Sequence, residues 1–185
     1  MKDFWNIFAD LPREVRAQLS LEPGTLEDPY YCYPVNARPI GFEGCILYCF
    51  IEGYEDMVFA SNPENYGDSG QVYPLARNFE EFLRLVLACG GVNPAEQAVW
   101  MTEAQFEEQR TACLAENAEA VERLKDALGL APMEAPYAYV KAVQQNFDGS
   151  RIQYSEEYYE TLGLYGEEEA EVTSCCEADT DPCSD

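Results

Sequence analysis

Residues 44–61, GCILYCFIEGYEDMVFAS, decide the fold class. CILYCFI and DMVFA are β-prone runs, separated by the polar EGYE with its glycine. Two β-prone runs joined by a short polar loop predict a hairpin. The stretch 72–91, VYPLARNFEEFLRLVLACGG, predicts a short strand and then a helix. Asn78 can cap that helix by accepting from a free first-turn N–H, and Glu80 and Glu81 suit its positive end. Phe79, Phe82, Leu83, Val86 and Leu87 recur at helical spacing, and Gly90 is placed for a left-handed stop. Pro74 cannot donate to a ladder, so its strand belongs at an edge or ends there. This helix is expected to pack on the sheet.

Working toward the N-terminus, YYCYPV (30–35) and ARPIGFEG (37–44) read as short extended pieces interrupted by prolines and Gly41. EPGTLEDP (22–29) is turn-rich. DFWNIFADL predicts one or two helical turns with Phe4, Trp5 and Phe8 on one side, and Pro12 suits the first turn of a second helix. Toward the C-terminus, NPAEQAVWM predicts a short helix capped by Asn93. One longer helix is expected from Thr102 to Gly129, opened by a Thr102–Gln105 capping box. Another follows Pro136, with Val140, Val143 and Phe147 inward. DGSRIQYS predicts a short strand, and Ser155 caps EEYYETLG. The expected domain spans 1–164. Residues 165–185 are acidic and aperiodic, and are expected to be a disordered tail.

The 185 residues carry 35 acids and 11 bases, a formal charge of −24, and no histidine. Eleven of the acids follow Arg151, the last base, so residues 1–151 keep −13. Such a surface repels nucleic acid and attracts basic partners; acidity also serves solubility alone. Without histidine, Ser–His and Cys–His nucleophilic dyads cannot be built, and the commonest neutral metal ligand is missing. Eight cysteines occur without a C-x-x-C pair, and no secretion signal is read at the N-terminus, so free thiols and a cytoplasmic location are expected. No apolar run reaches the ~20 residues that span a bilayer. No cofactor is expected.

Candidate contact residues lie in two loops. EGYED places Glu52, Glu55 and Asp56 around Tyr54 at a hairpin tip, a contact for a basic partner or a solvated turn. SNPENYGDSG offers Glu64, Tyr66 and Asp68 in the same way, without EF-hand spacing. Tyr30, Tyr31, Tyr33, Tyr48 and Tyr73 add aromatic surface suited either to an interface or to a half-buried sheet. Glu156 and Glu160 share a helix face and read as solvated; the Ser174-Cys175-Cys176 cluster with Cys183 lacks a cation to activate it.

The hairpin GCILYCFIEGYEDMVFASNPE, followed by QVYPLARNFEEFLRLVLACGG with its Phe79, Phe82, Leu83 signature, resembles the SUKH superfamily of bacterial immunity proteins and related fungal cell-wall-synthesis regulators. RIQYSEEYYETLGL (151–164) is similar to the end of some bacterial members. The resemblance implies a single SUKH-like α+β domain, a mixed or antiparallel β-sheet flanked by helices, that binds a protein without catalysis: an immunity protein occluding a basic toxin, such as a nuclease. A cytoplasmic adaptor or regulator on the same fold is the alternative, and an enzyme using carboxylates and tyrosines is a third reading.

Overall fold

The computed structural model describes residues 3–65, 70–145 and 147–164. The expected tail, 165–185, lies outside the described residues.

Four strands form one antiparallel sheet in chain order: β1 (Ala37–Glu43), β2 (Ile46–Ile51), β3 (Val58–Ser61) and β4 (Val72–Ala76). Alternation in β2 explains why CILYCFI is apolar throughout. Tyr48 and Phe50 face a helical layer, together with Ile40, Val58, Ala60, Tyr73 and Leu75. Leu47, Cys49 and Ile51 face the other way, with Phe59 and Val72, beneath Cys32, Tyr33 and Tyr54. A strand covered on both faces needs no polar side. Pro74 lies on the edge strand β4, as its missing donor requires. At the other edge, Glu22 bridges to Phe42 of β1. That approach leaves no room for a side chain at Gly41, where a Cβ would sit 2.8 Å from the Leu21 backbone.

The helical layer begins with α1 (Phe4–Ala9) and α2 (Arg13–Gln18). The central helix is α3 (Phe79–Cys89). The Asn78 side chain accepts from Glu81 N–H at 2.9 Å, and Gly90 closes α3 in the left-handed region at φ +80°. Gly90 is also obligatory by contact, since a Cβ there would lie 2.5 Å from Leu114 N. Phe79, Phe82, Leu83, Val86 and Leu87 join the core against the sheet. Leu85 and Cys89, on the far side of α3, pack with Ala95, Ala98, Phe106 and Val140 of the following helices.

Those helices are α4 (Asn93–Gln97), α5 (Glu103–Glu116), α6 (Ala118–Leu128), α7 (Pro136–Gln145) and α8 (Glu156–Leu162). The Thr102–Gln105 capping box opens α5. Four local expectations are corrected. The helix from Thr102 to Gly129 is broken at Asn117, whose amide donates to Gly90 O at 2.8 Å and so ties the chain to the end of α3. Asn93 is the first residue of α4 instead of its cap, because its side chain is engaged by Glu43 at 2.8 Å and by Gln97 at 2.7 Å. YYCYPV makes turns, and 151–155 forms no strand; a single bond from Val35 N–H to Gln153 O, 2.9 Å, joins these two segments. α7 packs along β4 and covers that edge.

Candidate functional site

The β2–β3 loop shows how one tyrosine aims three acids. Tyr54 is only 4% exposed. Its hydroxyl donates to Asp148 O at 2.9 Å and accepts from Arg151 N–H at 3.1 Å. Its ring packs on Phe59 at 5.3 Å and Phe147 at 5.5 Å, and the Arg151 guanidinium lies 4.4 Å above it. Tyr54 therefore does not stand at the tip as an aromatic contact; it anchors the loop from within. With Tyr54 drawn inward, Glu55 takes a left-handed turn at φ +55°, and Glu52, Glu55 and Asp56 are exposed. Glu64 is exposed as well, but it follows β3 at the opposite end of the sheet. Its N–H donates to Asn62 Oδ1 at 2.9 Å. Tyr66 and Asp68 lie outside the described residues. Glu64 and the three acids of the β2–β3 tip therefore lie on separate surfaces.

Asp56 borders an open groove of about 500 Å³ between α1, β1, β2 and the start of α3. Its floor is aromatic. Trp5, Phe50 and Phe79 form a triangle with ring centroids 5.9, 5.5 and 5.5 Å apart. The Arg38 guanidinium lies 4.5 Å over Phe50 and 5.6 Å over Trp5. Asp3, Asp56 and Glu80 supply negative charge along the groove. Asp3 and Asn78 are held there because they are the N-caps of α1 and α3. Arg38 stands two residues before the buried Ile40 on the same strand face. An arginine at an inward position marks where the sheet runs past the helical layer, and that spacing is the one sequence sign of the groove.

A second group of carboxylates and tyrosines joins the buried Glu96, Tyr48 and Tyr73 to the half-buried Glu43, which bears on the enzyme reading. Glu96 is 1% exposed. Its Oε1 accepts from the Tyr73 hydroxyl and from Asn62 Nδ2, the latter at 2.8 Å, while its buried Oε2 has no hydrogen-bond partner among the described residues. Glu43 accepts from Ser20 at 3.1 Å, Tyr48 at 3.2 Å and Asn93 at 2.8 Å. Burial pushes both carboxyls above their ordinary range, against the hydrogen bonds that favour ionisation. Burial likewise raises the Tyr48 and Tyr73 hydroxyls. Perturbed carboxyls can mark acid–base chemistry, but at 1% exposure Glu96 is closed to a substrate. The described cysteines Cys32, Cys45, Cys49, Cys89 and Cys113 are free thiols, all pushed up by burial and so poor nucleophiles. Among the described residues, no three acidic, cysteine or histidine side chains converge as a metal site, and no helix is long and apolar enough to cross a membrane.

Compared with protein-family models, curated proteins and solved structures, the chain matches none.

Proposed function

We propose that the protein is a non-enzymatic binding module that holds a basic protein partner, most specifically an immunity protein that occludes a basic toxin. The observation that carries the binding reading is the groove. Aromatic anchors with an acidic border are the ingredients of a protein interface: rings supply buried area, and charge steers the encounter and selects the partner. Of the β2–β3 tip acids, Asp56 belongs to that border, and Glu55 and Glu52 are exposed on the same loop. The toxin reading draws on the resemblance to the SUKH superfamily and on the −13 charge of the first 151 residues. Occlusion would be steric and electrostatic, with the acidic face covering a cationic cleft. The adaptor reading differs only in its partner.

The flanking DNA supplies the test. A neighbouring reading frame ending in a compact basic domain is the expected partner, and co-expression of this protein should rescue growth. Reversing Glu52, Glu55 and Asp56 to lysine should slow association about tenfold or more at low salt and weaken rescue. Rescue unchanged by the triple reversal would remove the tip from the interface. A neighbourhood without a basic domain would move the weight to an adaptor.

A further inference from the structure

The opposite face of the sheet carries a different surface. Sequence places Asp28, Pro29, Tyr30 and Tyr31 ahead of β1, and Tyr154, Glu157 and Tyr158 near the end of the described chain. The fold brings the two segments together. Tyr154 and Tyr158 stack with centroids 3.8 Å apart and planes 9° apart, and Tyr31 continues the stack against Tyr158 at 6.2 Å. The Tyr31 hydroxyl donates to Pro63 O at 3.4 Å. Tyr30 leans on Tyr33 at 5.5 Å, and Tyr33 is itself tied to Cys45 O at 2.7 Å. These inner contacts hold Tyr30 in place while leaving it 50% exposed. Asp28, Pro29, Tyr30, Tyr31 and Glu157 line an open cleft of about 520 Å³.

We infer that this cleft receives the cationic head of an arginine or lysine side chain presented by a partner protein. The lining has two ring systems, two exposed carboxylates and no base. Among the described residues, neither Asp28 nor Glu157 has an ion-pair partner. Rings already stacked lose little freedom on binding, and a cation over a tyrosine face is attracted by the ring quadrupole. The molecule uses this contact internally, with Arg151 over Tyr54 at 4.4 Å. The occupant follows from charge. A second copy would bring another −24, and the segment after Leu164 contains eight acids and no base. Both are repelled by Asp28 and Glu157, whereas a basic segment is attracted. The inference is independent of the groove, which lies across the sheet.

The test is an amide-resolved NMR titration of the full-length, isotope-labelled chain with N-acetyl-arginine methylamide. Saturable shifts are expected at the amides of Asp28, Tyr30, Tyr31, Glu157 and Tyr158. The uncharged citrulline analogue should leave them unmoved. Tyr30→Ala should weaken binding about fivefold, and Tyr30→Phe, which keeps the ring face, should stay near wild type. Asp28→Asn with Glu157→Gln should weaken it similarly. Shifts spread over acids everywhere without saturation, saturation confined to the Trp5–Glu80 groove, or equal binding of citrulline would overturn the assignment. The groove has its own amides, at residues 3–5, 38, 50 and 78–80, so a silent groove and a silent cleft are read separately.

Discussion

Two groupings in this protein use the same side chains to opposite ends. Inside, Glu43 and Glu96 meet Tyr48 and Tyr73; outside, Asp28 and Glu157 meet Tyr30 and Tyr31. The inner carboxylates accept from tyrosine, serine and asparagine donors within the molecule. The outer ones face solvent beside a half-exposed ring. The difference teaches that closure, more than residue type, separates a fold element from a binding element. A carboxylate whose partners are built in specifies packing; one whose partners are missing can select a ligand.

The largest effect should come from breaking the inner grouping. Glu96→Ala removes the shared acceptor of Tyr73 and Asn62 and strands two buried donors. A loss of about 3 kcal/mol in urea unfolding is expected, from two unsatisfied groups and the space vacated. That is a large share of a typical domain's stability. A loss below about 1 kcal/mol would mean that water reaches the site and that the grouping is not closed.

A pH series separates charge from shape. Burial raises the Glu96 and Glu43 carboxyls above the ordinary 4.5 in the folded state, so the folded protein holds these protons more tightly than the unfolded chain. The stability from this source is complete below pH 4.5 and is lost as pH rises through the folded-state value. Growing net negative charge acts in the same direction, so the informative quantity is a difference. Glu96→Gln keeps an acceptor oxygen and cannot ionise. The stability of wild type minus that of Glu96→Gln should decline as pH rises above 4.5. A difference flat in pH would show that Glu96 titrates alike in both states.

Much of the frame was readable because its signals are local. The Asn78 cap, the Gly90 stop and the Thr102–Gln105 box each act over a few residues. The β-prone runs CILYCFI and DMVFA are local signals too, and they gave the hairpin. The misread elements depend on partners far along the chain. Asn117 breaks a helix by bonding to Gly90, 27 residues away. Tyr54 turns inward to Asp148, 94 residues away. Glu96, in the ordinary-looking NPAEQ, is buried because Asn62 and Tyr73 await it. At the candidate site, the exposure of Glu52, Glu55 and Asp56 followed from a polar hairpin loop. The groove did not, since α1, β1, β2 and α3 each contribute one wall, and an arginine at the inward position 38 is its one sign in the sequence.

The smallest effect should come from stripping the outer grouping, and its smallness is the point. Asp28→Asn, Glu157→Gln and Tyr30→Ala together remove both exposed carboxylates and the half-exposed ring of the cleft. Among the described residues the two acids have no ion-pair partner to lose, and an exposed amide keeps water as its hydrogen-bond partner. Tyr30 gives up only its contact with Tyr33, whose own hydroxyl remains held by Cys45. The triple variant should unfold within about 0.5 kcal/mol of wild type, as surface substitutions usually do, while losing its affinity for the arginine probe. A destabilisation above about 2 kcal/mol would put Tyr30 and the two acids among the groups that hold the fold, and the two groupings would then differ in exposure but not in task. A variant that is stable yet blind to the cation would establish the division: tyrosine and carboxylate inside for the fold, tyrosine and carboxylate outside for the partner.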